Sequence, residues 1–208
     1  RGHALWCCRT AQRTMDSLGL YDAIMHKMAK ARCEAIAADS KRSQGLCCCG
    51  DSTFSLWDGL STAFAQVGIR ATNAGFGGST ATQVLRHMHM LCDGCQVVLV
   101  HVGGNDYDIH GDIITTIRAV QTMMGQSDTV YFLHAPRKPS YTDRKWAFMR
   151  RIVDTCPQSR VIDVSHLRLE YHVDGLHATS ESSNRLIVEA IANRLPQHVR
   201  RRVDIKKK

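Results

Sequence analysis

Apolar and polar positions fall into blocks along this chain, and the blocks switch period. Short apolar runs at Leu46 to Cys49, Ile69 to Asn73, Gln96 to Val102, Thr129 to Leu133 and Arg160 to Val164 have the length of strands. The run from Gln96 is nearly continuous, as a strand buried on both faces of a parallel sheet requires. Helical spacing separates these runs. It covers Met15 to Ala38, with Leu20, Ile24, Met28 and Ala31 as the apolar face, and Leu56 to Val67, closed by Gly68. It continues over Ser79 to Leu91, with Ser79 or Thr80 as N-cap, then Ile113 to Met124, Asp143 to Cys156, and Ser180 to Leu195 before Pro196. Strands alternating with helices predict an α/β fold, a doubly wound five-stranded parallel sheet flanked by helices. The expected division is a lead-in helical segment (1–40), one α/β domain (41–197) and a basic tail (198–208).

Composition fits that reading. The chain has 208 residues, 44% hydrophobic and 22% charged, which suits one domain with a sizeable core. No apolar run approaches the ~18 residues of a membrane span, and no stretch near the start has the apolar core of a signal peptide. Net charge is +8, with Arg200 to Arg202 and Lys206 to Lys208 gathered at the end. Few aromatics interleave with them, so a solvated tail is expected rather than a specific nucleic-acid site. There are nine cysteines. Cys47 to Cys49 lie in a core strand, where neighbours point to opposite faces and bridge poorly. They read as small buried hydrophobes in a reducing, cytoplasmic setting. Cys92 and Cys95 form a lone CxxC with no second pair to complete a zinc site, so a helix end and turn is expected there.

In such a sheet, ligands sit beyond the carboxyl ends of the strands. Gly50-Asp51-Ser52 follows the first strand. Alone it is weak, arising by chance in roughly one chain of this length in twenty, and Ser52 could be only a helix N-cap. Further blocks follow in order: the glycine-rich loop Ala74 to Gly78, then Gly103-Gly104-Asn105-Asp106, then Asp174-Gly175-Leu176-His177. A serine nucleophile needs a base and oxyanion donors. Ser52 is the candidate nucleophile and His177 the candidate base. Asp174, three residues earlier, can hold the other ring nitrogen. The Ser52 N–H, the glycine-loop N–H groups and the Asn105 amide are candidate oxyanion donors. Asp51 and Asp106 read as structural, and His101 and His134 as candidates for the cleft wall. No dinucleotide fingerprint, Walker loop or Gly-x-Ser-x-Gly elbow is present.

Gly50-Asp51-Ser52, Asn73-Ala74-Gly75-Phe76-Gly77-Gly78-Ser79, Gly103-Gly104-Asn105-Asp106 and Asp174-Gly175-Leu176-His177 together resemble the SGNH, or GDSL-type, hydrolases. Leu56-Trp57 and Lys138-Pro139-Ser140 resemble one bacterial-type subgroup of them. The resemblance covers residues 46 to 195. It implies a flavodoxin-like fold, ester or thioester hydrolysis without a metal or other cofactor, and Gly78 as the oxyanion glycine. Thr53 stands where Leu or Ile is common, the cysteines replace larger aliphatics, and residues 1–40 lie outside the matching part. A short acyl ester, of acetyl type, is the expected small-molecule substrate. A thioesterase, a lysophospholipase and a non-catalytic binding protein on the same scaffold are the alternatives. Charged residues expected in the walls (Asp106, Asp108, Arg137, Lys138, Asp143, Arg144) favour a small or polar substrate.

Overall fold

The computed structural model describes residues 19–38, 45–171, 175 and 181–197. Five parallel strands form its centre: β1 (Leu46–Gly50), β2 (Ala71–Gly75), β3 (Val97–His101), β4 (Val130–His134) and β5 (Val161–Asp163). Their spatial order is β2-β1-β3-β4-β5. β1 therefore pairs on both edges, with Leu46 opposite Ala71 on one side and Val97 on the other. The helices are α1 (Leu20–Ala38), α2 (Ser52–Ser55), α3 (Leu60–Gln66), α4 (Ala81–Leu91), α5 (Gly104–Ile109), α6 (Ile113–Gly125), α7 (Asp143–Asp154) and α8 (Glu181–Arg194). This is the doubly wound α/β sheet that the sequence predicts.

Strand alternation divides the core in two. Cys47, Cys49, Val98, Val100 and Phe132 face a cluster built with α1, α4, α6 and α7. Leu46, Cys48, Val97, Leu99 and Leu133 face a second cluster with Phe64 of α3 and Val188 and Ile191 of α8. The three adjacent cysteines are fully buried, and none is in a disulfide. Cys47 and Cys49 do point away from Cys48, and the Cys47 thiol lies 3.0 Å from Cys92 Sγ across the first cluster. Cys92 caps α4, and Cys95 N–H donates to its carbonyl in a turn, as expected of that CxxC. Among the described residues, no group of three or more His, Cys, Asp or Glu could hold a metal. No described helix is long and apolar enough to cross a membrane.

The structure corrects the sequence reading in three places. α1 buries Tyr21, Met25, Ala29 and Ile36, whereas Leu20, Ile24 and Met28 are exposed, so the face toward the sheet is one residue over from the expected one. The helix expected over Leu56 to Val67 starts only at Leu60. Residues 52–55 instead form the separate turn α2, and Gly59 enters α3 with φ +72°. β2 runs to Gly75, two residues past the expected end, because the glycine block continues the pairing with β1. The start of the expected first helix (Met15 to Ser17) and the basic tail lie outside the described residues.

Gly50 closes β1 and starts the turn into α2. A Cβ there would fall 2.1 Å from the His101 carbonyl oxygen, at φ +156°. β1 and β3 can meet this closely only because the side chain is missing. Gly50→Ala is expected to destabilise the fold by about 3 kcal/mol through overpacking and strain, read as a lowered urea midpoint. A wild-type midpoint would show that the β1–β3 contact can relax.

Candidate active site

The turn after β1 is built around Asp51. Its N–H donates to His101 O (3.2 Å), and its carboxylate accepts from Thr53 N–H (2.8 Å), capping α2. Ser52 follows as the first residue of α2 and is half-buried. Phe54, fully buried on the same turn, anchors it, and its carbonyl accepts from Asn73 Nδ2 at 2.7 Å. Burial alone would raise the Asp51 pKa. Nearby His101 and Lys138 and the hydrogen bonds from Thr53 outweigh it, and the carboxyl titrates below its usual range.

The glycine-rich loop is fastened to this turn. Phe76 N–H and the Ser79 hydroxyl both donate to Gly50 O, at 2.9 and 3.3 Å. The Asn105 amide donates to Ser79 O at 2.9 Å, joining the turn after β3 to the same loop. Ser52, Gly78 and Asn105 thus stand on three mutually bonded turns at the carboxyl ends of β1, β2 and β3. Gly78 has φ +80°. Among the described residues, nothing accepts from the Ser52 or Gly78 N–H. Those two donors and the remaining amide hydrogen of Asn105 are what an oxyanion would need.

Asp106 takes the structural part expected of it. Both its oxygens accept from Ala81 N–H (3.0 and 3.1 Å), and one accepts from the Thr116 hydroxyl (3.2 Å), so it joins α4 and α6 behind Asn105. Thr80 caps α4 in a capping box with Gln83.

Other expected members of the site stand elsewhere. His101 is buried rather than in the wall. Its Nδ1 lies 3.0 Å from Leu133 O, which can only accept, so the proton sits on Nδ1. Nε2 has no partner among the described residues. Burial, against the pull of Asp51, lowers its pKa and keeps the ring neutral at pH 7. His134 is buried and stacks on Trp146 at 5.2 Å. It stands 3.3 Å from Asp163 without hydrogen-bond alignment.

Most of the expected polar wall is committed internally. Lys138 and Asp106 are buried, Asp108 accepts from Lys145 Nζ at 2.5 Å, and Arg137 pairs with Asp143 at 2.7 Å. Their charge is no argument for a polar substrate. Asp174 and His177 lie outside the described residues. Between them, Gly175 O accepts from Ser140 Oγ at 3.0 Å. One contributor was not foreseen. Tyr21 of α1, from the segment read as a mere lead-in, donates its hydroxyl to Gly78 O at 2.5 Å.

No protein-family profile and no curated protein matches the chain in sequence. Solved structures do match it in fold. A psychrotrophic esterase, EstA, from Pseudoalteromonas sp., inhibited by monoethylphosphonate in its structure, superposes with TM-score 0.57 at 16% identity, covering 76% of this chain and 100% of its own. A family 3 carbohydrate esterase from Clostridium thermocellum gives 0.57 at 17%, covering 74% of this chain and 96% of its own. A member of the lipolytic G-D-S-L family from Veillonella parvula gives 0.56 at 15%, covering 71% and 96%. The chain shares the fold of these three proteins, a member of the lipolytic G-D-S-L family among them.

Burial raises the Asp106 pKa to about 6, despite the hydrogen bonds from Ala81 and Thr116. The folded protein therefore holds this proton more tightly than the unfolded chain, and the group favours folding increasingly as pH falls from 7 toward 4. The difference amounts to roughly 3 kcal/mol at its limit. Asp106→Asn removes that contribution. Urea titrations should show wild type gaining on the variant as pH falls, and a constant gap would remove Asp106 as the source.

Proposed function

We propose that this chain is a serine esterase of the SGNH type that cleaves short acyl esters through an acyl-enzyme on Ser52. One observation carries the reading. The turns holding Ser52, Gly78 and Asn105 are bonded to one another at adjacent strand ends, with the Ser52 and Gly78 N–H groups left open among the described residues. The fold shared with esterases and a carbohydrate esterase supports the same chemistry.

In this reading Ser52 Oγ attacks the ester carbonyl, and His177 takes the hydroxyl proton. Asp174 holds the other nitrogen of His177. The Ser52 N–H, Gly78 N–H and Asn105 amide receive the charge that develops on the carbonyl oxygen. Collapse expels the alcohol, which takes the proton from His177. Water then enters on the same base and releases the acid. No step calls for a metal or organic cofactor. The acetyl-type acyl group is the finer part of the proposal, supported by the carbohydrate-esterase neighbour. That the described cysteines form no disulfide supports a reducing, cytoplasmic location.

Ser52→Ala is expected to lower kcat on p-nitrophenyl acetate by about 1,000-fold or more and to abolish labelling by a fluorophosphonate probe. The wild-type rate should fall as pH drops through the range where imidazole gains its proton. Equal hydrolysis by both proteins would remove Ser52 from its role, and a rate flat from about pH 5 to 8 would remove His177. A series of p-nitrophenyl esters from acetate to decanoate should favour the shortest. A rise with chain length would favour the lysophospholipase or thioesterase reading.

A further inference from the structure

Residues 137–142, between β4 and α7, reach three separate parts of the site, and no step of the hydrolysis uses them. Lys138 is buried, and its Nζ donates to Thr53 Oγ1 at 2.9 Å, one residue past the nucleophile. Ser140 offers both its N–H (3.3 Å) and its hydroxyl (3.0 Å) to Gly175 O, two residues before the base. The Tyr141 hydroxyl packs against Gly104, beside the oxyanion amide, where an added Cβ would lie 2.7 Å from it. Resting on the ester-hydrolase reading above, we propose that Lys138, Ser140 and Tyr141 form a positioning clamp that sets the spacing of Ser52, Asn105 and Gly175.

The sheet order explains why the clamp has this form. β3 lies between β1 and β4, so a segment leaving β4 must cross the turn after β3 to reach Thr53. Gly104 leaves room for that crossing, and Gly103 for the helix α7 that follows it. A side chain at 103 would meet Met149 and Ile152, and one at 104 would meet Tyr141.

The segment is held in shape by its own bonds. Tyr141 N–H donates to Lys138 O (2.9 Å), and Arg137 donates to Tyr141 O (3.1 Å). Lys145 Nζ lies 4.4 Å from the centre of the Tyr141 ring, and Lys138 Nζ lies 5.7 Å from it.

An ammonium buried this deeply is costly unless it serves a fixed partner. Lys138 has one in Thr53 and a second influence on Asp51, whose carboxylate caps the same turn. With His101 neutral, Lys138 is the cation among the described residues that acts on Asp51. It lies under the nucleophile's turn, where it can hold Ser52 in register without touching substrate.

The test compares wild type with Lys138→Met, Lys138→Arg, Thr53→Val, Ser140→Ala and the Thr53→Val/Lys138→Met double variant. It measures kcat and KM on p-nitrophenyl acetate and the rate of Ser52 labelling by a fluorophosphonate. Lys138→Met should lower both kcat and the labelling rate by about tenfold to a hundredfold, with KM changed less than about twofold. Thr53→Val should match it, the double variant should be no worse than either single change, and Lys138→Arg should recover part of the loss. Ser140→Ala should lower kcat in the same manner, by less, because its backbone N–H still holds Gly175.

Wild-type kcat and labelling in Lys138→Met or Thr53→Val would overturn the clamp while leaving the esterase intact. So would a loss confined to KM, which would make Lys138 a substrate contact. A wild type that neither hydrolyses the ester nor takes the label would overturn the esterase reading and the clamp with it. If Lys138→Met fails to fold by circular dichroism, Thr53→Val and Ser140→Ala decide the question.

Discussion

The buried carboxylate of Asp51 constrains the architecture of the site more than any other group. Leaving such a charge uncompensated away from water costs several kcal/mol. The fold meets the demand with the Thr53 N–H and with Lys138, brought in from the far side of β3. Once a lysine must arrive from after β4, its segment has to cross the β3 turn, and that turn has to be glycine. The crossing in turn carries Ser140 to Gly175. The placement of the Ser52 turn, the thin β3 turn and the anchoring of Gly175 thus share one electrostatic cause.

The sheet was legible in the sequence because parallel strands buried on both faces leave unbroken apolar runs of strand length. What was misread was misread for identifiable reasons. In α1, Leu20, Ile24 and Met28 have the same spacing as Tyr21, Met25 and Ala29, one residue away. Periodicity alone cannot choose between two adjacent apolar stripes. The short helix α5 carries Asn105, Asp106 and Asp108 and has no apolar period to reveal it. The break before α3 depends on Gly59 taking a positive φ, which a helical pattern with one glycine does not betray.

The site divides along the same line. Ser52, Gly78 and Asn105 could be singled out as candidates because each lies in a short local block at a strand end. Tyr21, which holds Gly78 O, is 57 residues away in sequence, and Lys138 is 85 residues from Thr53. Contacts of that range leave no local pattern. The charges expected to line a cleft misled for the opposite reason. Composition shows a run of Asp, Lys and Arg, but only coordinates show that Asp108–Lys145 and Arg137–Asp143 neutralise one another.

β1 is hydrogen-bonded along both edges, to β2 and to β3, and every residue in it is buried. A polypeptide is made from its amino end, so β3 leaves the ribosome long after β1. Throughout that interval Cys47, Cys48 and Cys49 lack the neighbour that later shuts them from solvent. Their thiols are therefore open to oxidants only before β3 docks, or whenever the sheet opens again.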